Sequence, residues 1–216
     1  MSSPAAGLTP FQIAVAELFF SLPESDGFLL AGGAALAAQH LTSRPTRDLD
    51  LFTRSGHATV PAARDAFELA AAGHGWSVRR IRDDITFCRL VVSGEENLLV
   101  DLALDAPPQL PPSQSTAGPT FGLEELAGRK LLALFDRAEA RDFADVYILV
   151  QRYGTATLLS RAAQVDPGLN PTILADMIGS LARFDDADIP IDAESVANLR
   201  DFFARWQCEL RSGDHD

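Results

Sequence analysis

A chain of 216 residues, 47% hydrophobic and 22% charged, has the make-up of an ordinary globular protein, enough for one generous domain or two small ones. No apolar run approaches the ~20 residues that a membrane-spanning helix needs. A net charge of −12 argues against broad, sequence-independent nucleic-acid binding, though not against a local basic lip.

The first ten residues, MSSPAAGLTP, lack the basic stretch and apolar core of a secretory signal. Residues 9–22 carry apolar side chains at helical spacing (Phe11, Val15, Leu18, Phe19, Leu22) and stop before Pro23, which predicts a helix. GFLLA, residues 27–31, fits a buried strand. Gly32 and Gly33 follow, then a helix-like run to about residue 41. Residues 43–47 read as a loop around Pro45, and 48–52 as a second strand. An alanine-rich helix is expected over 61–73. Three strands then follow at 76–82, 85–92 and 97–102. The stretch 105–119 holds five prolines and reads as an irregular connector. Beyond it, residues 122–137, 141–153, 155–164, 171–184 and 194–210 are all helix-like, and the closing SGDHD is expected to fray. The pattern predicts an α+β protein: a mixed-sheet domain over residues 1–120 and a helical domain over 121–216.

Within this frame, RPTRDLDLF (residues 44–52) places Asp48 and Asp50 on one face of a short strand, because side chains two apart in a strand share a face. Like charges held side by side call for a compensating charge, and a divalent cation is the usual one. The other reading is a solvated surface pair. Asp101 lies in LLVDLAL and is the least surface-like acid of the chain. It reads either as a third carboxylate beside the first two or as a charge that protects a strand edge. Gly32-Gly33, between strand and helix, either lets backbone approach a phosphate or makes a tight turn.

Cations are unevenly chosen. The chain has 17 arginines and one lysine, Lys130. A lone lysine suits a place where a compact ammonium is wanted rather than a planar fork, chance being the alternative. Arg44, Arg47, Arg54, Arg79, Arg80, Arg82 and Arg89 all fall in the first 90 residues, as a basic lip or as ordinary surface charge. Cys88 and Cys208 are the only cysteines. They form no disulfide framework or zinc motif, which points to the cytoplasm.

In combination, these elements resemble the polymerase-β-like nucleotidyltransferase fold. More narrowly, FLLAGGAALAAQHLTSRPTRDLDLF followed by GRKLLALFDRAEARDFADVYIL resembles the AbiEii-type nucleotidyltransferase toxins, the group that includes the MenT toxins of toxin–antitoxin pairs. The resemblance covers residues 28–150 or so. It implies that Gly32, Gly33 and Arg47 line the phosphates of a nucleoside triphosphate and that Asp48, Asp50 and Asp101 hold Mg2+, in two ions. Asp101 is then the base for an acceptor hydroxyl, and Lys130 meets the triphosphate. Asp142 in ARDFADVY matches the family's later acid, with Asp145 its rival one turn on.

The implied activity is transfer of a nucleoside monophosphate to an acceptor hydroxyl. The acceptor suggested is the 3′ end of tRNA, with inhibition of translation as the result. A small molecule or a protein hydroxyl is the alternative acceptor, and a non-catalytic binding module the alternative class. The resemblance also implies a cognate antitoxin, with Thr46 as a site where an antitoxin-dependent kinase would silence the toxin. One departure stands out: many relatives carry serine after the first glycine, where this chain has Gly33. The last helices match no motif of the family.

Overall fold

The computed structural model describes residues 7–213. Most of the MSSPAAGLTP opening, residues 1–6, and the end of the expected frayed tail, residues 214–216, lie outside the described residues. The chain divides into two compact units, Met1–Gly122 and Leu123–Asp216.

Among the described residues, the first unit is built on a mixed seven-stranded sheet whose strands lie in the order Ser77–Asp83, Phe87–Ser93, Asn97–Leu104, Asp48–Thr53, Leu29–Ala31, Gly118–Thr120 and Ser113–Ser115. Helix α1 (Pro10–Phe20) starts at Thr9, whose hydroxyl accepts from the Gln12 N–H while Gln12 answers through the Thr9 N–H, a capping box. Strand β1 (Leu29–Ala31) turns directly into the short helix α2 (Gly32–Ala38). Strand β2 (Asp48–Thr53) alternates half-buried and buried residues, so Leu49, Leu51 and Thr53 enter the core while Asp48 and Asp50 face the other way. Helix α3 (Val60–Gly73) lies against the sheet face that carries Cys88, Leu90 and Val92 of β4 (Phe87–Ser93) and Leu98, Val100 and Leu102 of β5 (Asn97–Leu104). Phe67 of α3, wholly buried, meets Phe19 of α1 edge to face at 5.9 Å. Strand β3 (Ser77–Asp83) is the sheet edge, and its residues are almost all exposed.

The proline-rich stretch is not wholly irregular. It contains β6 (Ser113–Ser115) and β7 (Gly118–Thr120), an antiparallel pair whose inner strand lies parallel to β1. Neither strand shows apolar alternation. They are held by ladder bonds and by Gln39, which donates to Thr120 Oγ1 at 2.8 Å and to the Gln114 carbonyl at 3.1 Å. Such polar anchoring leaves no periodic trace in sequence.

The second unit contains five α-helices among the described residues: α4 (Leu123–Arg137), α5 (Ala140–Tyr153), α6 (Thr155–Val165), α7 (Pro171–Gly179) and α8 (Ala193–Ser212). Gly128 lets α4 meet α6 closely, since a Cβ there would lie 2.6 Å from the Arg161 Cβ. Phe143, Phe203 and Trp206 form the aromatic core between α5 and α8. The helix expected over 171–184 stops earlier, at Gly179, where Gln207 packs against the backbone and donates to the Ala175 carbonyl at 2.7 Å. A short 3-10 turn, Ser180–Arg183, completes that stretch. Of the expected frayed end, Ser212 still closes α8 and Gly213 follows with φ +76°.

Candidate active site

Strand β1 runs antiparallel to β2, pairing Ala31 with Asp50. The next residue, Gly32, has φ +64°, a left-handed conformation that favours glycine. A Cβ there would lie 1.7 Å from Asp50 Oδ2, so the carboxylate rests directly on the backbone of the turn. At Gly33 a Cβ would sit 2.8 Å from Thr46 Oγ1 and 3.1 Å from an Arg44 guanidinium nitrogen. The departure from serine at position 33 therefore has a local cause: the Thr46 hydroxyl fills the space that a side chain would need.

The loop before β2 is fixed from two sides. Gln12 of α1 donates its side-chain amide to the Thr46 carbonyl at 2.9 Å, and the Thr46 hydroxyl donates to Asp48 Oδ1 at 2.8 Å. Thr46 is buried as a result, while Arg47, between these two groups, is exposed.

Strands β2 and β5 are parallel and in a register that sets Asp50 beside Asp101. Strand β4 in turn pairs Arg89 with Asp101. Arg89 grips this carboxylate with both arms of its fork, Nε to Oδ1 at 2.8 Å and Nη2 to Oδ2 at 2.6 Å. The hydrogen bond to Asp101 and the nearby charges of Asp50 and Asp48 raise the Arg89 pKa above its ordinary value. Thus Arg89 is paired with Asp101 and lies within electrostatic reach of Asp50 and Asp48 on the same face.

Among the described residues, no group of three or more His, Cys, Asp or Glu is already arranged to hold a metal ion. The donor chemistry nonetheless suits one. Asp48 and Asp50 are half-buried carboxylates on one strand face, the hard oxygen donors that Mg2+ takes. Asp101 is held by Arg89 through both oxygens, each of which keeps a second lone pair for a cation.

In the helical unit, Lys130 is buried on α4, and its Nζ lies 2.9 Å from Asp145 Oδ2 of α5, whose side chain is fully buried. Asp142 has a different set of partners. It accepts from Arg137 at 2.9 and 3.0 Å and from the Glu139 N–H at 3.2 Å, closing a capping box at the start of α5. Asp142 thus fixes a helix end, whereas Asp145 orients the single lysine.

Sequence reasoning noted Arg89 only as one of several arginines. Its pairing with Asp101 depends on strand register, which no local pattern specifies. The same holds for Arg44, brought to Gly33 by the turn around Pro45.

The family model for the nucleotidyl transferase AbiEii toxin of type IV toxin–antitoxin systems matches residues 15–205. Among solved structures, JHP933 from Helicobacter pylori is similar to this chain at 19% identity and a TM-score of 0.57, covering 97% of each chain. MenT4, a nucleotidyltransferase toxin from Mycobacterium tuberculosis H37Rv, is similar at 16% identity and a TM-score of 0.52, covering 95% of this chain and 98% of its own. No curated protein matches the chain.

Proposed function

The chain belongs to the AbiEii family of nucleotidyl transferase toxins of type IV toxin–antitoxin systems, and we propose that it moves a nucleoside monophosphate from a nucleoside triphosphate to the 3′ end of tRNA. Blocking that end prevents aminoacylation and so inhibits translation in the cytoplasm. The observation that carries the reading is the placement of Asp50 between the Gly32 backbone and Asp101 of the adjacent strand. Acids on the central strands beside a glycine turn are what phosphoryl chemistry needs: donors for a cation and backbone that admits a phosphate.

Asp48, Asp50 and Asp101 would hold Mg2+, and when bound the metal neutralises phosphate charge during in-line displacement. The chain's own groups have separable tasks. Gly32 and Gly33 leave room for the phosphates, and Arg47, exposed at the mouth of the loop, meets their charge. Asp101 accepts the proton of the attacking hydroxyl once Arg89 has released its oxygens. Lys130 is assigned to the charge of the triphosphate and the departing pyrophosphate, with Asp145 rather than Asp142 keeping its ammonium oriented. A cognate antitoxin is the partner, acting on Thr46 as a kinase or through one.

Incubation of the protein with total tRNA and each labelled triphosphate, with and without Mg2+, tests this reading. Label is expected on tRNA, with one base preferred, and only with the metal. Label on protein or on a small molecule instead would favour the other acceptors.

A further inference from the structure

Strand β3 changes register midway. Arg79 pairs with Val91 and Arg80 with Leu90, but Arg82 pairs with Arg89, so Ile81 is an extra residue in a β-bulge. In a regular strand, residues three apart point to opposite faces. Here the bulge brings Arg79 and Arg82 to the same face, opposite Val91 and Arg89. That is the open face of the sheet, the one that carries Asp101 and Asp50. Arg80 is turned the other way, where Glu68 and Asp65 of α3 and Asp83 hold it at 2.7–2.8 Å. The bulge therefore sorts the arginines, satisfying one beneath the sheet and keeping two above it.

On the open side, Arg79 has no ion-pair partner among the described residues. Arg82 pairs with Asp84 at 2.6 Å, but both are more than half exposed, so that pair is weak. Phe87 lies between, with the Arg82 and Arg89 guanidinium carbons 5.1 and 5.7 Å from its ring centroid. A half-buried aromatic carrying two guanidinium planes is a stacking platform for bases. The row Arg82, Arg89, Asp101, Asp50 crosses four adjacent strands in register, so this platform adjoins the carboxylates. In a chain of net charge −12, such a strip is the feature a polyanion would find.

Resting on the nucleotidyltransferase reading above, we propose that the open face of β3 and β4 seats the acceptor as single-stranded nucleic acid. Phosphates lie on Arg79 and Arg82, and a base stacks on the platform formed by Arg82, Phe87 and Arg89. The strand end then reaches Asp101 along the register row. An acidic peptide would satisfy the arginines but would make no use of the aromatic platform or of its place beside the acids.

The test is fluorescence anisotropy of the full chain with a labelled single-stranded RNA of mixed sequence, without nucleotide, across a salt series. Phe87→Ala should weaken binding about tenfold, and Phe87→Tyr should restore it. The double variant Arg79→Gln/Arg82→Gln should lower the slope of log K against log salt by about 1.4, two single-strand phosphate contacts. Arg79→Lys/Arg82→Lys should keep the slope, and Arg205→Gln, in the other unit, should change nothing. Absence of RNA binding by the wild type would overturn the proposal. So would unchanged binding in the Phe87→Ala and double variants, or equally tight binding of duplex RNA or of polyglutamate. Binding that weakens as expected while no label is transferred to RNA would uphold the strip and reject the transfer reading. Transfer to RNA with an unchanged KM in these variants would do the reverse.

Discussion

Asp50 and Asp101 stand directly opposite each other on parallel strands, and Arg89 grips the second of them from the far side. The two acids are therefore not equivalent. Asp50 lies against a glycine turn, while both oxygens of Asp101 are gripped by a guanidinium. Asp50→Ala should abolish transfer by more than about a hundredfold, beyond what loss of a metal site's outer-shell partner costs. Its thermal melt should remain a single cooperative transition, showing that the fold is kept. Asp48→Ala should also abolish transfer but should lose about 0.5–1.5 kcal/mol of stability, since Thr46 loses its acceptor. Transfer assays and thermal melts on both variants check this, and full activity in either would remove the metal-ligand assignment.

Lys130 and Asp145 form a buried ion pair, and removing Asp145 leaves the ammonium without the carboxylate that holds it. Asp145→Ala should cost about 3–5 kcal/mol, and Lys130→Met should also destabilise the chain. The double change Lys130→Met/Asp145→Leu should recover most of that stability without recovering transfer. Lys130→Arg should fail in transfer despite its charge, because a planar fork does not replace a compact ammonium in a site this closed. Denaturant melts and transfer assays on the four proteins separate the structural from the catalytic part. A fully active Lys130→Arg would mean that the lysine is incidental.

The α+β class was legible because the first part of the chain alternates with period two while the later part repeats at helical spacing, and neither signal needs tertiary information. Asp48, Asp50 and Asp101 were legible for a related reason: an acid inside an apolar run must have a use or a partner. Arg89 was not legible, because its meaning comes from register with Asp101 across two strands. The β6–β7 pair escaped notice because Ser, Gln, Gly and Pro carry turn signals even where ladder bonds hold them extended. Asp142 and Asp145 could not be separated by sequence, as both lie early on α5. Their partners, Arg137 and Lys130, differ only in three dimensions.

The two cysteines should differ sharply in reactivity. Cys88 is buried in the sheet core, and burial pushes its thiol up to about 11, whereas Cys208 is exposed. At pH 8, iodoacetamide should modify Cys208 and leave Cys88 intact in the folded protein, as intact-mass and peptide mapping would record. The same shift has a stability consequence of definite sign. The folded thiol keeps its proton to higher pH than the unfolded one, whose value is 9.0. Its contribution is complete below pH 9 and is lost as pH rises toward 11. Cys88→Ala should flatten that decline in a pH series of melts, and an unchanged decline would show that other groups cause it.

Thr46 joins the loop to the acids through its hydroxyl, which donates to Asp48 at 2.8 Å and fills the space beside Gly33. A phosphate on that oxygen would add roughly −1.5 to −2 charges next to a carboxylate and could no longer donate. It would repel a triphosphate or take the cation that Asp48 and Asp50 are proposed to share, and transfer stops in either case. The side chain is buried, so modification requires the loop around Pro45 to open, and the bond from Gln12 to the Thr46 carbonyl opposes this. Gln12→Ala should therefore speed modification by the proposed antitoxin-dependent kinase without itself altering the acids. Arg44, already near Gly33, and Arg47 could then pair with the phosphate and hold the loop in its new position. Co-expression with the cognate antitoxin, followed by mass spectrometry, should find phosphate on Thr46 and faster phosphorylation in Gln12→Ala. Thr46→Glu should be inactive, whereas Thr46→Ser should keep transfer and remain modifiable. An unmodified Thr46 together with a fully active Thr46→Glu would leave the hydroxyl a purely structural task, holding the turn into β2.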